Sequence, residues 1–217
     1  MNDVAAADLT LSRTRLDTAL DALAAADPDV ARAIERVGRP PLRRRPAGFP
    51  TLLRIITAQQ LSTKSVAAIH GRLEAALDGV VTPNAYLGLN DACLRGCGLS
   101  ARKVQYGRHL ATTIADGRLD LDTLVGLDDE TVIETLTALP GFGRWSAEIY
   151  LLFALDRLDV LPADDLALQV GYQRLKGLDD RPGGKVFRSL AESWAPCRGA
   201  GSILLWHFYG AATLAGT

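Results

Sequence analysis

The stretch LTALPGFGRWSAEIYLLFAL, residues 136–155, decides the fold of this chain. It has the pattern of an apolar helix that is interrupted by PGFG at residues 140–143 and restarts at once with Arg144 and Trp145. In a helix interior, glycine costs about 1 kcal/mol and proline about 3 kcal/mol relative to alanine. The interruption therefore predicts two helices joined by a tight turn.

The residues of the turn leave two interpretations open. Glycines at positions 141 and 143 leave main-chain N–H groups unshielded by a Cβ, at the start of a helix where those groups lack partners and the dipole favours an anion. A nucleic-acid phosphate fits such a place. A plain corner between two packed helices, with no ligand, fits the same pattern, since glycine often only separates helices.

Helical patterns follow one another along the rest of the chain. Ser62, Ser100 and Asp128 each precede a helical segment and are predicted to cap it. No apolar/polar alternation persists long enough to predict a strand. The sequence therefore predicts an all-α fold, a two-lobed bundle of about ten helices with short connections.

We expect the 217 residues to form a single domain, 1–217, with two lobes and a cleft between them. One lobe is placed at about residues 48–120 and the other at about 120–217. The N-terminal helices, about residues 10–38, are expected to pack on the second lobe.

Composition restricts the class of protein. Hydrophobic residues make up 48% of the chain and charged residues 23%, with a net charge of −1. This balance argues against a nucleic-acid binder with a wholly basic surface, although it allows a local basic patch. No apolar run reaches the roughly 18 residues that span a bilayer, and the N-terminus lacks the pattern of a signal peptide. We expect a cytoplasmic protein, associated with the nucleoid if bacterial, with no membrane partner.

The three cysteines, Cys93, Cys97 and Cys197, indicate reduced thiols rather than a disulfide framework. Cys93 and Cys97 are four residues apart, but no second Cys or His pair completes a tetrahedral metal site. Three cysteines are also too few for a cluster held by four. No cofactor is expected to be required, and no iron–sulfur cluster is expected.

Adjacent aspartates at 164 and 165, in LPADDLALQ, precede an apolar helix. Such a pair is commonly an N-cap followed by a first-turn acid. Asp164 fits the capping role, which leaves Asp165 without an evident structural role. A carboxylate there can stabilise positive charge or activate water.

Together these segments resemble the helix-hairpin-helix DNA glycosylase superfamily with its Gly/Pro…Asp signature, most closely the branch of 3-methyladenine DNA glycosylase II. The resemblance covers about residues 48–210. It rests on five segments, which are IITAQQLSTKSVAAIHGRL at 55–73, GLSARKVQYGRHLA at 98–111, LPGFGRWSAEIYL at 139–151, DVLPADDLAL at 159–168 and WAPCRGAGSILLWHFYG at 194–210.

The resemblance implies that Asp165 is the catalytic aspartate, which stabilises the oxocarbenium character that develops as the N-glycosidic bond breaks. Trp145 stands where bifunctional members carry a Schiff-base lysine, so it implies an enzyme without lyase activity. Trp145 and Trp206 match base-pocket positions, although core packing is an equal alternative for Trp206. Where relatives have a tyrosine this chain has Ile149 followed by Tyr150, and both are assigned to the pocket.

The resemblance also implies a set of DNA contacts. AQQLS matches the segment that plugs the gap left by a flipped base; Gln60 is the favoured plug, and Leu61 is either a second candidate or a residue that only packs before the Ser62 cap. The implied DNA-binding residues are Gln59, Gln60, Leu61, Ser62, Lys64, Gly141, Gly143, Arg144 and Ser146. Further candidate phosphate contacts are Arg102, Lys103 and Arg43 to Arg45, unless these are only solvated helix faces. Main-chain carbonyls of Thr137, Leu139 and Phe142 are implied ligands of a structural K⁺ or Na⁺.

The leading hypothesis is thus a monofunctional, monomeric glycosylase that flips alkylated purines such as 3-methyladenine and 7-methylguanine out of double-stranded DNA and releases them in base excision repair. A non-catalytic DNA-binding or lesion-sensing module is the alternative. A helical interaction scaffold without nucleic acid is a third hypothesis, and it predicts no salt-dependent affinity for DNA.

Overall fold

The structure is a computed structural model that describes the backbone of residues 2–214 and the side chains of residues 12–211. Over those residues it contains twelve α-helices, two 3₁₀ turns and no strand, which confirms the all-α prediction. None of the described helices is long and apolar enough to cross a membrane. The helices are α1 (Asn2–Ala26), α2 (Pro28–Val37), α3 (Phe49–Ala58), α4 (Thr63–Ala76), α5 (Pro83–Gly88), α6 (Asp91–Gly96), α7 (Ala101–Ala115), α8 (Asp129–Thr137), α9 (Arg144–Phe153), α10 (Leu166–Lys176), α11 (Gly184–Leu190) and α12 (Arg198–Leu214).

Three predicted N-caps are confirmed. The side chains of Ser62, Ser100 and Asp128 accept hydrogen bonds from main-chain N–H groups three residues further on, at 3.2, 3.3 and 3.0 Å. They begin α4, α7 and α8. Each cap satisfies a donor that the helix itself leaves without a partner.

One compact unit, called here the central unit, is Arg45–Leu155. Helix α3 lies at its middle and packs on α4, α7 and α9, while α8 packs on α9. Leu52, Leu53 and Ile56 of α3 are completely buried. The predicted lobe boundary near residue 120 differs from this arrangement. Helices α8 and α9 belong with the preceding helices because α9 packs directly on α3.

The second unit, called the terminal unit, joins the described residues up to Arg44 with those from Asp156 onward. Helix α12 packs on α1, α2 and α10, so the N-terminal helices pack on C-terminal ones. Asp27 ties these ends together. It caps α2, and its carboxylate accepts hydrogen bonds from Lys176 of α10 at 2.6 Å and from the indole of buried Trp194 at 2.7 Å.

Candidate functional site

The turn between α8 and α9 is closed by a hydrogen bond from the N–H of Phe142 to the carbonyl of Leu139 at 3.1 Å. Gly141 has a φ of +89°, a conformation that L side chains rarely adopt. A Cβ at this position would also lie 2.3 Å from Cδ2 of Tyr106, whose ring packs against the turn. Glycine at 141 is therefore required by the fold itself.

Gly143 differs from Gly141. It is the N-cap of α9, it is exposed, and no side chain caps the helix there. Its φ of −103° is open to other residues, and a Cβ would meet nothing within 4 Å. Because the first N–H groups of a helix lack partners within the helix, this accessible helix start has the chemistry of an anion site.

Arg144, predicted to contact phosphate, is engaged by two glutamates instead. Its Nη1 donates to Oε2 of Glu130 in α8 at 3.0 Å, and its Nε donates to Oε1 of the buried Glu148 at 3.0 Å. Hydrogen bonding to Glu130, followed by the charge of Glu148, raises the pKa of Arg144 above its usual value. The guanidinium thus connects the two helices of the hairpin, and its contact with phosphate stays a prediction.

Ser146 is also placed differently from the prediction. Its side chain is buried, and its hydroxyl accepts a hydrogen bond from Nε2 of Gln59 at 3.3 Å. This leaves its hydroxyl inside the central unit rather than at a DNA-facing surface. A direct side-chain contact from Ser146 to DNA is therefore not supported.

Trp145 and Ile149 line a cavity of about 160 Å³ between α9 and α3. They lie four residues apart on one face of α9, are partly exposed, and are followed on the same face by Phe153. The remaining walls are formed by Arg45, Thr51, Arg54, Ile55 and Ala58. The predicted pair of pocket residues is thus brought together around a mainly apolar space.

Tyr150 does not belong to that cavity. Its side chain is completely buried, and its hydroxyl accepts a hydrogen bond from the N–H of Gly48 at 3.0 Å. Burial raises the pKa of this phenol. Tyr150 is a core residue that fixes the entry of α3, which corrects the expectation that it lines the base pocket.

The predicted plug segment is the short connection between α3 and α4. Gln60, Leu61, Ser62 and Lys64 are all exposed, and Leu61 keeps 41% of its surface accessible. Gln60 has a φ of +59°. Left-handed backbone at a non-glycine residue costs free energy and persists only where the surrounding structure holds it. The segment therefore presents an exposed glutamine and leucine on a constrained backbone.

Gln59 and Lys103, both predicted to contact DNA, instead hold this connection from the inside. Nε2 of Gln59 donates to the carbonyl of Gly141 at 2.7 Å as well as to Ser146. Nζ of Lys103 donates to the carbonyls of Thr57 and Gln59 at 2.8 and 2.7 Å. Burial lowers the pKa of the Lys103 ammonium. These contacts give both side chains a structural role, and their contact with DNA stays a prediction.

The other arginines that were predicted to contact phosphate lie in different surroundings. Arg43 and Arg102 are exposed, and Arg45 lies at the cavity. Arg44 belongs to the terminal unit, where its Nη1 donates to the buried hydroxyl of Ser12 at 3.0 Å. Arg44 is therefore partly committed to a structural contact.

Asp165, in the terminal unit, is the N-cap of α10, which corrects the assignment of that role to Asp164. Its Oδ1 accepts the N–H of Leu168 at 3.1 Å. Asp164 is exposed and forms an ion pair with Arg188 at 3.6 Å. Both aspartates precede α10. Because the helix begins one residue later than the sequence predicted, Asp165 and not Asp164 is its N-cap.

Trp206 of α12 contacts the same carboxylate. Its indole Nε1–H donates to Oδ1 of Asp165 at 3.1 Å, and both side chains are partly exposed. Core packing was the alternative for Trp206, and its partial exposure and polar contact argue against it. No sequence signal predicts this pairing, since the two residues are 41 positions apart.

The central unit thus carries a glycine-bearing hairpin whose second helix starts without a side-chain cap, and the terminal unit carries a partly exposed aspartate held by an indole. The model of the HhH-GPD superfamily of base excision DNA repair proteins matches residues 53–196, more than half of the chain. The chain belongs to this superfamily, which confirms the membership that the sequence predicted.

Several similar proteins are named as 3-methyladenine DNA glycosylases. The chain is 34% identical over 161 residues to DNA-3-methyladenine glycosylase 1 of Schizosaccharomyces pombe, covering 73% of this chain and 71% of that protein. The structure of the 3-methyladenine DNA glycosylase of Schizosaccharomyces pombe in complex with abasic DNA matches with a TM-score of 0.82 and 31% identity, over 92% of this chain and 98% of that one. A DNA-3-methyladenine glycosidase from Bacillus halodurans matches with a TM-score of 0.77 and 37% identity, over 88% and 89%.

Proposed function

We propose that this chain is a monofunctional DNA glycosylase that hydrolyses the N-glycosidic bond of alkylated purines, such as 3-methyladenine and 7-methylguanine, in double-stranded DNA. The observation that carries the proposal is the Asp165 carboxylate, which is partly exposed while one oxygen is held by the N–H of Leu168 and the indole of Trp206. The similarity to proteins named as 3-methyladenine glycosylases supports the substrate class.

The chemistry assigned to Asp165 follows from charge. Cleavage of a glycosidic bond develops positive oxocarbenium character on the sugar, and a fixed carboxylate stabilises that charge without reorganising. Two N–H donors on Oδ1 hold the group in one orientation. Fixed orientation is what makes electrostatic stabilisation effective in a transition state.

The absence of lyase activity is proposed from position 145. The resemblance places a Schiff-base lysine there in bifunctional relatives, whereas this chain has Trp145. An indole has no amine with which to attack a sugar carbon, so the reaction should end at base release and an intact abasic strand. The ring instead offers a face to a cationic alkylated base, a contact worth about 0.5–2 kcal/mol.

DNA binding is assigned to the hairpin and the plug segment. The helix start at Gly143, which no side chain caps, offers main-chain donors to a phosphate, and such donors require no basic surface. Gln60, with Leu61 beside it, is proposed to fill the gap left by the extruded nucleotide. We propose that the protein acts as a monomer on damaged duplex DNA, in the cytoplasm and at the nucleoid if bacterial.

A structural K⁺ or Na⁺ at the hairpin is proposed from the kind of donor available. The carbonyls of Thr137, Leu139 and Phe142 are hard oxygen ligands, which alkali cations accept. Leu139 already accepts the N–H of Phe142, and its carbonyl keeps a second lone pair. The ion would supply positive charge beside the phosphate-binding turn; no catalytic step depends on it.

A panel of duplexes, each with one modified base (an alkyladenine, hypoxanthine, ethenoadenine or uracil), tests this function. The expected result is release of free alkylated base, with strand breakage only after alkali. Asp165→Asn should abolish most release, whereas the matched variant Asp164→Asn should retain it, since Asp164 only pairs with Arg188. Breakage without alkali would refute the monofunctional assignment, and equal rates for Asp165→Asn and the parent would refute the role of Asp165.

A further inference from the structure

The exposed plug segment has no regular secondary structure of its own to hold it. It connects α3, which ends at Ala58, with α4, which begins at Thr63. Gln60 within it adopts a left-handed backbone, which a glutamine does not favour. A turn hydrogen bond from the N–H of Leu61 to the carbonyl of Ala58 at 3.2 Å closes the segment, and two side chains hold it from outside.

Lys103 of α7 holds the segment from one side. Its ammonium donates to the carbonyls of Thr57 and Gln59, which belong to the carboxyl end of α3, where carbonyls lack partners within the helix. The cation also matches the negative end of the helix dipole. The peptide that enters Gln60 is thereby fixed at its carbonyl.

Gln59 holds the segment from the other side, and its partner lies in the hairpin. Its amide donates to the carbonyl of Gly141 at 2.7 Å and to the hydroxyl of Ser146 at 3.3 Å. Gly141 belongs to the rigid turn that Tyr106 packs against, and it is two residues from the exposed helix start at Gly143. One side chain thus joins the plug segment to the phosphate-binding turn.

We propose that Gln59 is a positioning residue for base extrusion: it holds the plug at Gln60 and Leu61 in a fixed relation to the turn that grips the DNA backbone, with Lys103 securing the same peptide. This inference rests on the proposed function. Extruding a paired base costs free energy, which a plug offsets only if it is already aligned with the held strand. Without the tether, the hairpin still grips DNA, but the plug must be ordered at each extrusion.

A role of Gln59 in base extrusion predicts different effects on two substrates, whereas a role in fold stability predicts equal effects. If the tether acts on extrusion, its loss should matter most where extrusion is costly, for a lesion that is paired and stacked. Its loss should matter little for the same lesion opposite an abasic site, because that lesion has no partner base from which it must be unpaired. A loss of stability or of chemistry would instead lower both rates by the same factor.

The test uses Gln59→Leu, which keeps the side-chain length but has no donor, and Gln59→Glu, which keeps the shape and replaces the donor with an acceptor. Gln105→Leu is the matched control, because Gln105 is exposed on α7 of the same unit. Single-turnover excision of 7-methylguanine is measured opposite cytosine and opposite an abasic site. Extrusion is followed by the fluorescence of a neighbouring 2-aminopurine, and affinity for undamaged duplex is measured alongside.

For both Gln59 variants we expect excision opposite cytosine to fall about 5-fold, the value of one lost hydrogen bond of average strength. Excision opposite the abasic site should stay within about 2-fold of the parent, because little extrusion is needed there. The affinity of the uncharged variant Gln59→Leu for undamaged duplex should also stay within about 2-fold, because the helix start at Gly143 is unaltered. An equal loss on both substrates, or no change in extrusion, would overturn the proposal. If Gln59→Leu does not fold, Gln59→Glu decides by the same ratio.

Failure of the proposed function is distinguishable from failure of this inference. If the parent itself releases no base, the function is refuted, and the 2-aminopurine signal on duplexes with an abasic site still reports the plug. In that case, equal signals for the parent and both Gln59 variants would overturn the positioning role as well.

Discussion

Trp206 Nε1 and Leu168 N–H both donate to the same oxygen of Asp165, each at 3.1 Å. One donor comes from the first turn of α10 and the other from α12, so the carboxylate is oriented by two separate helices. Hydrogen bonds to an ionised group are stronger than those between neutral groups. The capping bond begins α10, and the indole bond joins the cap to α12.

Replacement of Asp165 by asparagine removes the negative charge of the side chain but keeps its ability to cap α10. Asparagine caps helices about as well as aspartate, so the melting temperature should change little. Loss of the carboxylate charge should slow excision of 7-methylguanine by about 10²–10³-fold, the scale of a lost electrostatic contact in a transition state. Single-turnover kinetics beside thermal unfolding check both values. A variant that unfolds early, or one that cleaves at the parental rate, would contradict this division of roles.

Replacement of Trp206 by phenylalanine removes the indole donor while keeping an aromatic ring. Since a hydrogen bond to a charged group contributes about 1.5–3 kcal/mol, excision should slow by about 10–100-fold. Affinity for undamaged duplex should be unchanged, because neither the hairpin nor the plug segment is altered. The rate at saturating enzyme is the measurement. If ring packing alone mattered, phenylalanine would preserve that rate.

Local signals explain what could be predicted from the sequence. The interruption at 140–143 predicted the hairpin because glycine and proline oppose a helix wherever it packs. Ser62, Ser100 and Asp128 were identified as caps because a cap is made with residues two or three positions away. The same locality explains the shift at Asp164 and Asp165, since adjacent residues of one type compete equally for the cap.

Contacts between distant positions could not be predicted in this way. The bond from Gln59 to Gly141 joins residues 82 positions apart, and the clamp from Arg144 to Glu130 joins residues 14 positions apart. Both depend on how α3, α8 and α9 pack, which no local propensity encodes. A charged or amide side chain near a binding motif fits a ligand contact on local grounds, whereas the packing of the helices supplies it with partners in the protein. The burial of Tyr150 has the same cause.

The two glycines of the hairpin should respond differently to alanine. Gly141→Ala places a Cβ in left-handed backbone and against Tyr106, and it should destabilise the protein by at least about 2 kcal/mol. Gly143→Ala meets no atom within 4 Å, and it should change stability by less than about 1 kcal/mol.

Gly143→Ala, which should fold normally, is nevertheless expected to bind duplex DNA more weakly. A methyl group at Gly143 obstructs the free helix start, so the dissociation constant should rise about tenfold, the value of one hydrogen bond to a charged group. Urea unfolding and a titration at fixed salt measure the two effects. Unchanged affinity for Gly143→Ala would remove the helix start from the DNA interface.

Arg144→Met should destabilise the hairpin rather than simply weaken DNA binding. It leaves the buried Glu148 carboxylate without the guanidinium that contacts it. Breaking a buried pair costs about 3–5 kcal/mol, and partial exposure of Arg144 reduces the expected loss to about 1–3 kcal/mol. Glu130→Gln, at an exposed carboxylate, should cost at most about 1 kcal/mol. Equal losses in urea unfolding would show that Glu148 is not the partner that matters.

His70 of α4 should make the stability of the protein depend on pH. It is buried, its Nε2 has no hydrogen-bond partner among the described residues, and burial, followed by the charges of Arg54 and Arg45, lowers its pKa to about 4. An unfolded histidine titrates near about 6.5, so the unfolded chain takes up the proton first as the pH falls. Stability from neutral His70 is therefore complete above about pH 6.5 and declines toward pH 4, by about 3 kcal/mol in all.

His70→Leu removes this titration, so its free energy of unfolding should decline less steeply than that of the parent between pH 6.5 and 4. The difference in slope should approach about 1.4 kcal/mol per pH unit, the value for one proton. His109→Leu, at an exposed histidine of α7, leaves the buried group in place and should follow the parent. Urea unfolding at four pH values across this range measures all three slopes. Parallel slopes for His70→Leu and the parent would mean that another group carries the acid sensitivity.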